Sequence, residues 1–361
     1  MKKVGIVTIY DLNNYGNRLQ NYAVQEILSE NGFDAISFKN RESTNGKSNH
    51  SLLIRSIISI FKLRDIHTFL INNKRGKRYR NFVKFNKTYI KSSKKYLTFY
   101  NAQKISENFD FFVVGSDQVW NPKFGRMKSV DLLAFFKGEG RIAFAPSLGG
   151  IDIIPNNVDS NFLKSELTKF KFLSTRETHG AKLLNNLLNT NRVVTLLDPT
   201  LLLDTNKWAK MAKNSPILIK NKYILLYFLK YNYQSTLFEI EQYAIKNGLI
   251  VINIMDKNSP YYSCGPDSFL HLIQNAEFIF TDSFHGTVFS ILFGKTFQVF
   301  KRSQNDIMYS RIENLLSFLK LYNVEYNGTL NWKSSINFEN VYQILKKEQK
   351  RELDILLSQF A

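Results

Sequence analysis

Five histidines occur in the 361-residue chain, and one stands where an apolar run, Phe278 to Phe280, breaks off and an apolar segment resumes, in FIFTDSFHGTVFSILFGKTF at 278–297. The pattern reads as a buried strand turning into a buried helix, with His285 at or near the helix N-terminus. Free backbone N–H groups and the helix dipole favour an anion there, and an imidazole can give or take a proton near neutral pH. The alternative is a histidine that packs or partners a cap. Arg176 in KFLSTRET is a second candidate. Its guanidinium could clamp a carboxylate or phosphate with two parallel bonds, or simply pair with Glu177. Asp117 in GSDQVW could orient a sugar hydroxyl or cap the helix that follows. Asp198 in DPTLLL reads as a turn residue after a strand, a structural role. His50, His67, His179 and His271 sit in no pattern that chemistry requires.

Several chemistries are excluded by what is missing. No HExxH, Cys/His cluster or loop DxD occurs, so no metal site is expected. There is no P-loop, GxGxxG or nucleophile elbow. A single cysteine, Cys264, rules out a disulfide framework and fits a reducing compartment. The opening MKKVGIVTIYDLNN is too short in its apolar part for a signal peptide, and no apolar stretch reaches the roughly 18 to 20 residues of a membrane span. The expectation is a soluble, cytoplasmic protein.

Net charge is +19, densest in KRGKRYRNFVKFNKTYIKSSKK at 74–95. A solvated face, an anionic membrane and anionic small substrates all answer such a charge. Nucleic acid does not, because zinc-finger spacing, RRM-type aromatics and a helix-turn-helix are absent.

The candidates need elements to hold them. At 361 residues the chain fits two domains of roughly 150 to 200 residues. VGIVTI, DAISF, FDFFVV, RIAFA, KFLS and VVTLL are short apolar runs of the buried parallel-strand kind, separated by helical patterns. The stretch 41–105 interrupts them as a basic, Asn- and Ser-rich excursion with helical patches such as 52–61. After the Lys-rich DTNKWAKMAKNSPILIKNK the pattern restarts, with strands YILLYFL, LIVINIM, EFIFTDS and TFQVF, and helices expected at 234–247, 267–275, near His285 and from about Ser310. Alternating strands and helices in both halves predict an α/β fold with two Rossmann-like domains facing a cleft, GT-B-like, with 1–204 and 205–336 as the domains and 337–361 as a C-terminal helix. Ligands bind beyond the carboxyl ends of such strands, where the Asn13–Asn17 loop, Ser116, Asp117, Arg176, Asp282, Ser283, His285, Lys301 and Arg302 all fall.

Seven stretches, GIVTIYDLNNYGNRLQNYAVQ, FVVGSDQVWNP, FAPSLG, STRE, DPTLLL, TDSFHGTVFSILFGKTF and SRIENLL, occur in an order that resembles the polysaccharide pyruvyl transferase family, from about residue 4 to about 319. The basic excursion is the least matched part. The resemblance implies transfer of pyruvate from phosphoenolpyruvate to two hydroxyls of a sugar, in a cell-surface polysaccharide or its lipid-linked precursor, as a ketal. Phosphoenolpyruvate is then a co-substrate, and no cofactor is required. His285 corresponds to the family's candidate acid/base, and Arg176 to an arginine for the donor's anionic groups. A donor side built from Ser283, Gly286, Lys301, Arg302 and Arg311 in the C-terminal domain would hold carboxylate and phosphate. Asn14, Tyr15, Gly16, Ser116 and Asp117 fall on the N-terminal side, where an acceptor is expected. A glycosyltransferase using a nucleotide sugar is the alternative of the same architecture. The charge alone motivates a further expectation, peripheral docking of 74–95 on the anionic inner membrane face, where basic residues gain about 1 kcal/mol each.

Overall fold

The computed structural model describes residues 1–40, 74–98, 100–231, 234–303, 307–332 and 336–361. The helical patches expected at 52–61 lie outside these described residues. The chain opens with β1 (Lys3–Val7), α1 (Tyr15–Glu30) and β2 (Asp34–Asn40). It continues after the undescribed stretch with α2 (Lys74–Tyr89), β3 (Ser92–Leu97), α3 (Ala102–Ser106), β4 (Phe111–Val114) and β5 (Arg141–Ala143). These strands form one all-parallel sheet in the order β3-β2-β1-β4-β5. Most of β1 and all of β4 and β5 are buried, as parallel strands covered on both faces must be.

Next come α4 (Ser160–Thr168), β6 (Ser174–Thr175), α5 (Thr178–Leu188), β7 (Val194–Thr195) and α6 (Pro199–Leu202). β6 and β7 pair in parallel, and an isolated parallel bridge, Ile142 to Phe172, joins them to the β5 edge. The second unit follows: α7 (Thr205–Lys213), β8 (Tyr223–Tyr227), α8 (Gln234–Lys246), β9 (Ile250–Asn253), α9 (Pro266–Gln274), β10 (Phe278–Thr281), α10 (Phe284–Leu292), β11 (Thr296–Val299), α11 (Ser310–Phe318) and α12 (Phe338–Leu357). Its sheet is also all parallel, in the order β11-β10-β8-β9.

Strand order fixes where a site can form. In the first sheet the chain leaves β1 towards β2 on one side and β4 lies on the other. In the second, β9 and β10 flank β8 in the same way. Loops diverge at such switch points and leave a crevice at the carboxyl ends of the strands. Capping residues begin the helices that face it: Asn14 accepts from Asn17 N, Asp198 from Thr200 N, and Ser283 from Gly286 N.

One element differs from the sequence expectation. SSKKYL within the basic excursion is a strand, β3, held only by β2 at the sheet edge, where exposed lysines are tolerated. The terminal helix α12 runs back to the first unit. Gln349 Nε2 donates to Leu201 O at 2.5 Å and Lys2 Nζ to Phe360 O at 2.8 Å, while the Phe360 ring packs between Phe33 and Phe111. No helix of the described residues is long and apolar enough to cross a membrane.

Candidate active site

The carboxylate of Asp198 is the hub. It lies at the start of α6, wholly buried, and its Oδ1 accepts from Thr200 N at 3.0 Å and Thr200 Oγ1 at 2.7 Å. That leaves Oδ2 for three other groups. Arg176 Nη1 donates to it at 2.6 Å, Ser116 Oγ lies 3.1 Å away, and His285 Nε2 stands at 3.7 Å. The histidine distance is Coulombic reach, not a hydrogen bond. Burial alone would raise the Asp198 pKa, but His285, Arg176 and Thr200 together hold it well below the usual carboxylate range.

Arg176 follows β6 directly, and its side chain is 2% exposed. Burial works against its charge, yet Asp198, Glu177 and Asp117 raise its pKa, so it stays a cation. Only Nη1 has a hydrogen-bond partner. Nε and Nη2 are buried without one, Nε lying 3.7 Å from Glu177 Oε1. The guanidinium also lies over the Phe284 ring at 4.6 Å. Arg311, the second residue of α11, approaches the same ring at 5.9 Å. Burial and the nearby Arg176 push its pKa down to about 10.

His285 is the second residue of α10, and its Nε2 is buried with no hydrogen-bond partner. The other face of the ring rests on α1. A Cβ placed on Gly16 would meet His285 Nδ1 at 2.0 Å, so only glycine lets helix and imidazole touch. The imidazole therefore bridges the two units. Asp117, in the loop after β4, completes the group. Its backbone takes a left-handed φ of 66°, and its Oδ2 accepts from Asn17 Nδ2 at 2.9 Å. Asn17 is held by Arg18 Nε and Asp11 N on its Oδ1, which fixes the amide the right way round. Burial would raise the Asp117 pKa; Arg176, His285, Asn17 and Arg311 outweigh it and lower it.

The structure thus brings together Arg176, His285, Arg311, Gly16, Ser116 and Asp117. It does not bring in every expected residue. Lys301 pairs with Glu313 at 2.8 Å on the surface, its side chain 49% exposed. Arg302 donates to Asp282 Oδ2 at 3.0 Å and Asp282 O at 2.9 Å, bracing a carboxylate that also collects three N–H groups of 229–231. Ser283 caps α10. Gly286 is pressed on Thr281, where a Cβ would meet Oγ1 at 2.4 Å. Asn14 caps α1, and Tyr15 stacks on Phe269 with its hydroxyl bonded to Arg78.

Three participants were given no chemical role by the sequence: Asp198 was read as structural, Asn17 only as part of the loop at the ligand end of β1, and Glu177 only as a possible ion-pair partner of Arg176. For Asp198 the signal was visible as a cap, Asp-Pro-Thr being an N-cap followed by Pro at the first helical position. Its partners, 22 and 87 positions away, were not. A cavity of about 230 Å³ opens beside the cluster, lined by Arg176, Asp198, Phe284 and Arg311 and by Arg351 and Glu352 of α12. Among the described residues no group of three or more His, Cys, Asp and Glu side chains could hold a metal ion.

Comparison with known proteins agrees with this architecture. The UDP-GlcNAc 2-epimerase of Methanocaldococcus jannaschii is similar in structure at 12% identity, with 99% of this chain and 100% of the other covered and a TM-score of 0.51. A putative UDP-N-acetylglucosamine 2-epimerase from Listeria monocytogenes matches at 9% identity, 98% and 91% coverage and a TM-score of 0.51. At these identities the likeness shows the fold, α/β with two Rossmann-like units in the GT-B manner. No curated protein sequence matches the chain. The family profile described as polysaccharide pyruvyl transferase matches residues 14–303, most of the chain and every residue of the cluster except Arg311. The protein is a member of the polysaccharide pyruvyl transferase family.

Proposed function

We propose that the protein transfers pyruvate from phosphoenolpyruvate to two hydroxyls of a sugar, in a cell-surface polysaccharide or its lipid-linked precursor, forming a pyruvate ketal. The observation that carries this reading is the buried Arg176 guanidinium with two unpaired nitrogens beside an unpaired His285 Nε2. Buried donors without partners are costly, and a carboxylate or phosphate seated there would satisfy them. Arg311 across the Phe284 ring supplies the second cation that a donor with two anionic groups needs.

The chemistry runs in two steps. A sugar hydroxyl oxygen bonds to C2 of the enol phosphate as its own proton leaves to a base, while C3 takes a proton from an acid, so the methylene becomes a methyl group. A second hydroxyl then bonds to C2, the bond from C2 to the phosphate oxygen breaks, and phosphate leaves with that electron pair. The second hydroxyl proton passes to a base. His285 is the residue proposed to move these protons, an assistance worth roughly 10²- to 10⁴-fold. Asp198 steadies the charge that develops on the ring, and Asp117, aligned by Asn17, faces the acceptor. Lys301, Arg302, Asn14 and Tyr15 are proposed to act indirectly, through the elements they brace.

Mass spectrometry of candidate glycan precursors after incubation with phosphoenolpyruvate tests the reading. A mass gain of one pyruvyl ketal that His285→Ala loses, with its melting curve kept, is expected. If nucleotide sugars raise the melting temperature and phosphoenolpyruvate does not, the protein is a glycosyltransferase and the proposal fails.

A further inference from the structure

The family profile ends at residue 303, yet the cluster's hub is gripped from beyond that point. Glu352, buried on α12, accepts a hydrogen bond from Leu197 N at 2.7 Å, one residue before Asp198. Gln349, one turn earlier on α12, donates to Leu201 O at 2.5 Å, three residues after it. These two bonds bracket a short segment. β7 is two residues long and α6 four, so neither provides a ladder or helix that would hold Asp198 by itself. The same helix lines the cavity beside Arg176 and Arg311.

We propose that Glu352 is a positioning residue of the site, setting the 197–201 segment so that Asp198 meets Arg176 and His285 together. It acts through Asp198 and touches no reacting atom. Arg176 and His285 both approach the one oxygen Oδ2 of Asp198, at 2.6 and 3.7 Å, so a small rotation of its backbone would change both contacts. The inference rests on the proposed function only in taking Arg176 and His285 as the working groups.

The test compares Glu352→Ala, which removes the acceptor for Leu197 N, with Glu352→Gln, which keeps an oxygen for it. The primary readout is the imidazole ¹⁵N spectrum of His285, assigned by difference against His285→Ala, in protein without ligand. Glu352→Ala is expected to move the His285 ring signals, and Glu352→Gln to restore them. Where Glu352→Ala does not fold, Gln349→Ala removes the other half of the bracket and is expected to move them too. With phosphoenolpyruvate as probe, Glu352→Ala binds about tenfold more weakly, the scale of one hydrogen bond, and Glu352→Gln within twofold of wild type. His285 signals that stay at wild-type positions in the folded alanine variant, or that Glu352→Gln displaces equally, overturn the proposal. A wild-type protein that fails to bind phosphoenolpyruvate counts against the donor assignment alone, because the ring signals still decide the role of Glu352.

Discussion

At the scale of single residues, the His285 ring occupies space that only a glycine at position 16 leaves open. His285 and Arg176 announce themselves because few side chains can move a proton or clamp an anion. Gly16 does not, since a glycine in a helix reads as a weakness. By helix propensity Gly16→Ala should stabilise α1 by up to about 1 kcal/mol. The contact says otherwise: the new Cβ would lie 2.0 Å from His285 Nδ1, so the imidazole must leave. Gly16→Ala is therefore expected to lose transfer to the level of His285→Ala while remaining folded, which parallel rate and melting measurements would check. Asp198→Asn should act on both. It removes the carboxylate that neutralises the buried Arg176, a change costing about 3–5 kcal/mol at neutral pH. Because the Asp198 pKa is depressed in the folded state, that stability is present above the ordinary carboxylate range and lost as pH falls below about 4. The gap between wild-type and Asp198→Asn melting temperatures should accordingly narrow on acidification, and a gap that widens would contradict the ion-pair assignment.

At the scale of elements, apolar strands and capped helices could be placed from pattern, the two-residue β6 and β7 included, and the polar β3 could not. α10 starts at Phe284, within a residue of the position expected for it, because strand, Ser283 cap and helix follow one another without a gap. β3 was not singled out within the basic excursion because its lysines hide no core; pairing with β2 makes it a strand. The grip of α12 on the 197–201 segment depends on contacts across about 150 residues, which no local pattern records. It does leave a pH signature. Burial pushes the Glu352 carboxyl up to about 8, with the Leu197 N–H and Arg351 opposing and Glu348 adding to the rise. A carboxyl raised in the folded state contributes stability that is fully present below its unfolded pKa and lost as pH rises through the folded value. Wild type should therefore lose stability between about pH 5 and 8 relative to Glu352→Gln, which cannot ionise. Thermal melts of the two proteins across that range measure it, and parallel curves would show that Glu352 ionises freely.

At the scale of the molecule, two parallel α/β units followed from the alternation of strands and helices, but the sequence could not say what locks one against the other. Arg78 does much of this. In the basic stretch it looked like one more surface cation, yet it is buried between the units. Its Nε donates to Asn13 Oδ1 at 2.7 Å and its Nη1 to Tyr262 O at 2.8 Å, and its guanidinium lies 4.4 Å from the Tyr15 ring. Asn13 lies in the loop after β1 and Tyr262 in the loop before α9, so one side chain ties both halves of the crevice wall. The neighbouring Lys77, Lys84 and Lys87 are exposed instead. The two sets should separate in experiment. Arg78→Met keeps the apolar stem but forfeits hydrogen bonds from a charged donor, each worth about 1.5–3 kcal/mol, and should lower the melting temperature by roughly 5–10 °C. Its loss should persist at high salt, because a buried contact is screened little. Neutralising Lys77, Lys84 and Lys87 together should leave the melt nearly unchanged and weaken sedimentation with anionic vesicles, an effect that rising salt erases. If Arg78→Met instead melts like wild type while losing vesicle binding, the basic stretch works as a surface throughout and the two units are held together by other contacts.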